Sequence, residues 1–412
     1  MKAYVEAYGC TLNVGESREV RSLLERSGWD VVDTPSDADL AVLATCVVIE
    51  KTERKMLKRI SELRTVPRLI VTGCMATACR EKVQNLAPSA EFVPPGEISS
   101  FASVLGASLE RTRSAESTAF PFTIVPIATG CVGKCSYCIT QIARGSLKSR
   151  KPAVVVEAVR EAVLSGPREI QLTAQDTAAY GSDIGSDLPQ LVREVCAIPR
   201  DFRVRIGMMN PRSALPLLEP LTSMYLDRKV FKFLHLPVQS GSDAILARMD
   251  RGYSVNDFER IVGRLRDRIP RMSLSTDLIV GYPGETDADH RSNLELVSRV
   301  EPDIVNVTKF SARPGTRAAG EHPKVAGRIA KERSRELTRL RFSLALKKNK
   351  LWVGQRVRAL STEPGKPGTT IFRTEEYRQV VVPHELNLGE WADVLVTGAT
   401  ATYLKGAVEG SG

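Results

Sequence analysis

Cys131-Val132-Gly133-Lys134-Cys135-Ser136-Tyr137-Cys138 follows directly on an apolar, strand-like run at residues 123–128. Three thiols within eight residues, at the end of a predicted strand, can wrap one side of a metal centre. Three such ligands bind three irons of a [4Fe–4S] cube and leave the fourth iron open to a small molecule. A zinc site is the alternative, and it normally draws a fourth Cys or His from close by. The next histidine is His235.

The chain around this stretch reads as alternating strands and helices. Strand-like runs at 123–128, 169–174, 203–208, 232–237, 273–280 and 304–310 are separated by helical periodicity. About six strand–helix units predict a full or partial parallel β/α barrel, with sites at the carboxyl ends of its strands. Upstream, strands at 3–8, 40–45 and 69–72 alternate with helices at 16–27, 50–63 and 76–86. This predicts a flavodoxin-like parallel sheet covered on both faces. Residues 106–120, rich in Ser, Thr, Ala and Arg, read as a linker. Residues 326–350 form an Arg/Lys-rich helical pattern with Leu337, Leu340 and Leu344 on one face. Five short β-type runs follow, at 356–360, 369–372, 379–383, 392–397 and 402–406, with turns such as Pro364-Gly365-Lys366-Pro367-Gly368. They predict a small antiparallel β-barrel of the oligonucleotide-binding (OB) type. The chain is thus expected to be an α/β protein with domains at 1–110, 121–350 and 351–410.

The 412 residues are 42% hydrophobic and 26% charged, the balance of a globular chain rather than a disordered or collagen-like one. No apolar run reaches the ~18 residues of a membrane span. Glu6 interrupts the N-terminus where a secretory signal would be apolar. A cytoplasmic setting with no membrane partner is expected. There the eight cysteines read as metal ligands or reactive thiols before they read as disulfides. The net charge of +10 is unevenly spread. Residues 321–350 hold 10 Lys+Arg against 3 Asp+Glu, and residues 351–412 hold 6 against 7. The basic segment fits a polyanion such as nucleic acid, or simply a solvated helix face.

Three further cysteines each end a predicted strand. They are Cys10 in Gly9-Cys10-Thr11-Leu12-Asn13-Val14-Gly15-Glu16-Ser17, Cys46 after Thr45, and Cys74 in Gly73-Cys74-Met75-Ala76. In an open parallel sheet the carboxyl ends of the strands share one edge, so distant thiols can converge there. Buried structural cysteines would give the same pattern.

The C-x3-C-x2-C triplet, with Tyr137 before its last Cys, resembles the radical S-adenosylmethionine (SAM) superfamily. That resemblance implies a cluster on Cys131, Cys135 and Cys138 whose open iron chelates SAM. An electron from it would cleave SAM to methionine and a 5′-deoxyadenosyl radical. Gly-Cys-x-x-Asn with Glu-Ser, then Thr-Cys, then Gly-Cys stand ahead of the triplet, and a small β-barrel stands behind it. This order is similar to the methylthiotransferase family: an N-terminal methylthiotransferase domain, a radical-SAM barrel and a TRAM domain. The resemblance implies a second [4Fe–4S] cluster on Cys10, Cys46 and Cys74, and no catalytic side chain beyond the cluster ligands. Thr77 departs from the Gln that many relatives carry after Gly-Cys-Met-Ala. Cys79 and Cys196 match no ligand position and read as structural.

Ala174-Gln175-Asp176-Thr177-Ala178-Ala179-Tyr180 and Arg205-Ile206-Gly207-Met208-Met209-Asn210-Pro211 resemble the archaeal and eukaryotic branch of that family. This branch inserts a methylthio group at C2 of N6-threonylcarbamoyladenosine, position 37 of tRNA. SAM-binding residues are then expected among Tyr137, Gln175, Asp176, Arg205, Gln239, Gly281 and Glu285. Arg205 and Gln239 suit the SAM carboxylate and ribose, and Gly281 can let the backbone approach a ligand. RNA contacts are expected from Arg333, Arg335 and Arg339 of the basic helix and Arg356, Lys366 and Arg373 of the small barrel. The partners implied are a tRNA whose single-stranded anticodon loop can splay a base outward and an electron donor such as a flavodoxin or ferredoxin. The sulfur donor is not named by any residue. Other readings are a different tRNA adenosine, a ribosomal-protein side chain, or a non-catalytic iron–sulfur RNA-binding protein.

Overall fold

A computed structural model describes residues 1–105, 122–166 and 168–408, so the expected linker at 106–120 lies outside the described residues. The N-terminal part is a five-stranded parallel sheet in the order Asp30–Val32, Lys2–Ala7, Leu40–Thr45, Arg68–Gly73, Glu91–Phe92. Leu40–Thr45 is buried at every position, as a central strand covered on both faces must be. Its side chains alternate between two layers. Leu40 and Val42 pack with Val20, Leu23 and Phe101, while Ala41 and Leu43 pack with Met56, Ile60 and Val83. The first helix starts earlier than its periodicity implied, at Thr11, directly after Cys10. The helix expected at 76–86 is two, Cys74–Ala78 and Arg80–Leu86, broken at Cys79.

Six parallel strands form the central arc. Phe122–Pro126, Glu169–Thr173 and Arg203–Ile206 make one sheet, and Phe233–His235, Ser273–Val280 and Ile304–Lys309 make the other. A single parallel bridge between Val204 and Val230 spans the break. The arc is therefore a partial barrel. Ile170, Leu172, Val204, Ile206, Leu234 and Leu274 face the outer helices and build the largest core. The alternate positions line a polar interior: Arg205 donates to Gln171 (3.1 Å), while His235 and Asn306 meet at Asp277 (3.3 and 2.7 Å).

The helix Gly327–Lys350 follows the last strand and adds Leu337, Leu340 and Leu344 to that core. Beyond it, five strands close a small barrel in the order Arg356–Pro364, Thr370–Thr374, Gln379–Val382, Leu404–Val408, Trp391–Ala399. Its pairs are antiparallel except Gln379–Val382 with Leu404–Val408, which is parallel and closes the ring. Tyr377 projects from this barrel into the N-terminal end of the central arc. Its ring lies 4.9 Å from that of Phe231, and its hydroxyl donates to Glu169 at 2.6 Å. No described helix is long and apolar enough to cross a membrane.

Candidate active site

Cys131, Cys135 and Cys138 occupy the loop between Ala128–Thr129 and the helix Ile139–Arg144, at the carboxyl-terminal end of the arc. All three are half-buried free thiols. The Gly133 N–H donates to Cys131 Sγ at 3.2 Å, and Arg251 Nη1 donates to Cys135 Sγ at 3.1 Å. Arg251 also reaches the Tyr137 hydroxyl (3.3 Å) and the Pro237 carbonyl (3.2 Å), which brings the loop carrying Gln239 to the triplet. Asp176 is buried beside them and accepts from the Asn210 N–H (3.0 Å) and the Ser213 hydroxyl (2.7 Å). Burial, more than the Asp176 carboxylate, pushes the Cys131 thiol up to about 11. A group that takes these sulfurs as thiolates must therefore displace protons.

Two features fit an iron–sulfur cluster here. A Cβ on Gly133 would fall 3.4 Å from Cys131 Sγ and 3.7 Å from Cys135 Sγ, so the glycine leaves a hollow between the two sulfurs. The Oε1 of Gln175, the sequence neighbour of Asp176, is buried without a hydrogen-bond partner among the described residues.

The second triplet is held together by Asn13. Its amide donates to the carbonyls of Tyr8 (2.9 Å) and Thr45 (2.8 Å), which precede Cys10 and Cys46. The Thr45 hydroxyl in turn accepts from the Met75 N–H at 3.1 Å, tying in the loop of Cys74. Two glycines make this convergence possible. Gly9 and Gly73 have φ of 108° and 78°, and a Cβ would lie 2.7 Å from Cys46 Cβ and 2.4 Å from the Thr45 oxygen. Cys46 and Cys74 are buried, and burial raises both thiols, Cys74 to about 11.

Arg144 joins the two places. It ends the helix that begins after Cys138, six residues and about 9 Å long. Its guanidinium bonds Asn13 and the Glu16 carboxylate and lies against Cys74. Burial opposes its charge, but Glu16 outweighs burial and raises the arginine above its ordinary value. A cavity of about 90 Å³ opens beside Cys138, lined also by Val48, Tyr137, Thr308, Lys309 and Ser311. Val48 lies two residues beyond Cys46, so the segment that follows Cys46 lines this space together with Cys138.

The chain matches three family models in order. They are described as Uncharacterized protein family UPF0004 over residues 2–94, Radical SAM superfamily over 125–297 and TRAM domain over 350–408. Over its whole length it is similar to the probable threonylcarbamoyladenosine tRNA methylthiotransferase of Pyrococcus horikoshii, with 38% identity over 99% of each chain. The chain belongs to the methylthiotransferase family of radical SAM enzymes. The threonylcarbamoyladenosine tRNA methylthiotransferase of Xenopus laevis is 31% identical, across 98% of this chain and 76% of that one. A solved radical SAM methyltransferase, TsrM from Kitasatospora setae with cobalamin and a [4Fe–4S] cluster bound, shares the fold. Its TM-score is 0.57 at 15% identity, over 77% of this chain and 76% of that one.

Within this methylthiotransferase the residues expected at SAM divide. Tyr137, Asp176 and the loop of Gln239 lie with the first triplet, and Gln175 is the sequence neighbour of Asp176. Arg205 and Glu285 do not lie with it. Arg205 points to the opposite end of its strand, bonded to Gln171 and stacked 5.1 Å from the Tyr377 ring centroid. Gly281 directly follows the strand Ser273–Val280 on the triplet's side, where its neighbour Tyr282 bonds Ser136 at 2.8 Å, and it packs so closely that a Cβ would lie 2.7 Å from that of Ala330. Glu285 is spent on the Gly281 N–H (2.6 Å) and on Arg333 (2.7 Å).

The expected RNA contacts divide too. Arg333 is buried and ion-paired to Glu285 and Asp287, so it pins the long helix to the arc instead of meeting RNA. Arg373 pairs with Glu363 at 3.0 Å. Arg335 and Arg339 are exposed on the helix, and Arg356 and Lys366 are exposed at opposite ends of the strand Arg356–Pro364. Sequence reading gave Arg144 no role and overlooked Arg251. It also missed the link between Glu53 and the buried Arg313, which ties the N-terminal helix Glu50–Leu63 to the arc.

Proposed function

We propose that this methylthiotransferase inserts a methylthio group at C2 of N6-threonylcarbamoyladenosine, position 37 in the anticodon loop of a tRNA, in the cytoplasm. Cys131, Cys135 and Cys138 would hold one [4Fe–4S] cluster, and Cys10, Cys46 and Cys74 a second. The observation that carries this reading is the short helix with Cys138 before its first turn and Arg144, in contact with Cys74, at its end. Two sites one short helix apart, with Cys138 and the segment after Cys46 lining one cavity, suit a reaction that must both open an aromatic C–H bond and deliver sulfur to the same carbon.

When bound, the clusters supply the electron that cleaves SAM and the anchorage of the sulfur to be transferred. The chain's own residues do the rest. Arg251 holds Tyr137, Cys135 and the Pro237 carbonyl in one arrangement. Val48, Ile49, Ile139 and Phe310 give the cavity apolar walls, which keep water from the reacting carbon. Thr308, Lys309 and Ser311 line the same cavity and offer hydroxyls and a cation. The threonylcarbamoyl group carries a hydroxyl and a carboxylate, whereas an isopentenyl group would leave these polar groups without partners. A flavodoxin or ferredoxin would supply the electron.

The test is anaerobic reconstitution followed by mass spectrometry of nucleosides from the reacted tRNA. The expected product is the methylthio derivative of threonylcarbamoyladenosine, with iron near eight per chain, two four-iron clusters. Cys131→Ala should abolish SAM cleavage, while Cys46→Ala should keep cleavage and lose sulfur insertion. Full activity at four irons per chain, or a product lacking the threonylcarbamoyl group, would overturn the reading.

A further inference from the structure

The exposed face of the long helix leads to a second cavity, at the opposite end of the strand Ile304–Lys309 from the one beside Cys138. Arg335 and Arg339 lie one turn apart, and Phe342 follows on the same face. Phe342 is 37% exposed, and the Arg341 guanidinium sits 4.4 Å from its ring centroid. Beside it, a cavity of about 200 Å³ opens where the helix, the strand Ile304–Lys309 and the small barrel meet. Phe342 and Tyr403 give it flat aromatic surface, and Arg341 and Thr402 give it polar atoms, while the Asn349 amide in its wall is already bonded to the Thr400 carbonyl and to Arg378. The Arg341 Nε is buried without a hydrogen-bond partner among the described residues.

Aromatic faces, an arginine plane and a hydroxyl are chemistry by which single-stranded RNA bases are held. The position also suits one RNA. Ile304 and Val305 border this cavity, whereas Thr308 and Lys309 border the one beside Cys138. The two cavities thus sit at opposite ends of one strand, roughly 10–16 Å apart at about 3.3 Å per residue. A few unstacked nucleotides can cover that distance. The basic stripe of Arg335 and Arg339 runs into the second cavity from outside.

We infer that this cavity binds a second base of the substrate RNA, stacked on Phe342, with neighbouring phosphates on Arg335 and Arg339. The inference rests on the tRNA reading above. Stacking displaces no counterions, while phosphate contacts do. The two contributions therefore separate in a salt series.

The experiment measures tRNA affinity of the full chain from low to high salt. Phe342→Leu keeps apolar volume but removes the flat face, and it should weaken binding roughly 5- to 100-fold with an unchanged salt slope. Phe342→Trp should bind like the wild type. A photoreactive uridine placed at single positions of the anticodon loop should crosslink to the peptide containing Phe342, at a position other than the reacting nucleotide. Wild-type affinity in Phe342→Leu, equal weakening in Phe342→Trp, or crosslinks to this peptide from the reacting nucleotide alone would overturn the inference. A wild-type chain that fails to bind tRNA at all would overturn the tRNA reading, and this inference with it.

Discussion

Arg144 and Glu16 form a two-pronged ion pair, at 2.6 and 2.9 Å, between the helix that begins after Cys138 and the helix that begins after Cys10. The arginine side chain is 0% exposed and the glutamate 13%. The pair therefore connects the two cysteine triplets through protein rather than through solvent. Arg144→Met would leave Glu16 charged and nearly buried, and Asn13 short of its partner. Removing one member of such a pair costs about 3–5 kcal/mol. Chemical denaturation should show that loss, and, on the proposal that Cys10, Cys46 and Cys74 hold a second cluster, the purified variant should lose close to half of its iron. Unchanged stability and full iron in Arg144→Met would sink this account.

Arg251 acts on the first triplet in a different way. Its N–H to Cys135 Sγ places a positive charge and a donor against one thiolate. Both stabilise the more negative, reduced state of a cluster bound there. Arg251→Met should therefore shift the midpoint potential of the first cluster to more negative values, with SAM cleavage slowed in parallel. Arg251→Lys should fall between. A redox titration followed by electron paramagnetic resonance reads this directly, and coincident titration curves would refute it.

The parts that local pattern controls were legible. Leu40–Ala44 is an unbroken apolar run because both faces of its strand are covered, and the six central strands alternate because one face packs on helices. The parts that depend on distant partners were not legible. Arg251 meets Cys135 across 116 residues and Arg144 meets Glu16 across 128, and nothing local encodes either pairing. Arg333 illustrates the reverse error. Its helix shows a basic stripe, but the sequence gives no sign that Glu285 and Asp287 wait on one side of it. Arg205 is similar: alternation turns it inward, but a tyrosine from another domain decides which end it serves.

That correction changes which charges should matter for tRNA affinity. Lys331, Arg335 and Arg339 are exposed on the long helix, and reversing all three should weaken binding and flatten its salt dependence. The slope should fall by about 0.9 for each duplex phosphate that is no longer neutralised. Arg333→Ala should instead lower stability with the salt slope intact in the folded fraction. Three neutral changes at Arg356, Lys366 and Arg373 should flatten the slope less than the helix variant. A larger drop in slope from those three would move the main phosphate-binding surface to the small barrel.

Asp303 is the point where the arc, the long helix and the small barrel are tied together. It accepts from Lys348 at 2.7 Å and from the Leu274 N–H at 2.8 Å, and it pairs with Arg378 of the small barrel. Burial opposes its charge, but Lys348 and Arg378 outweigh burial and hold the carboxyl below the usual aspartate range. A carboxyl with a depressed folded pKa contributes stability that is full above its unfolded value, about 3.9, and is lost as pH falls through the folded value. Docking of the small barrel should therefore weaken on acidification below roughly pH 4. Asp303→Asn should lower stability at neutral pH, because the half-buried Lys348 and Arg378 are left without their counter-charge, by up to about 3 kcal/mol. It should also flatten the fall between roughly pH 5 and 2. Trp352 is a built-in reporter, since its ring lies 5.0 Å from the Arg378 guanidinium. Urea unfolding followed by tryptophan fluorescence across this pH range makes the comparison. If the wild type and Asp303→Asn lose stability in parallel as the pH falls, the acid sensitivity belongs to other carboxylates.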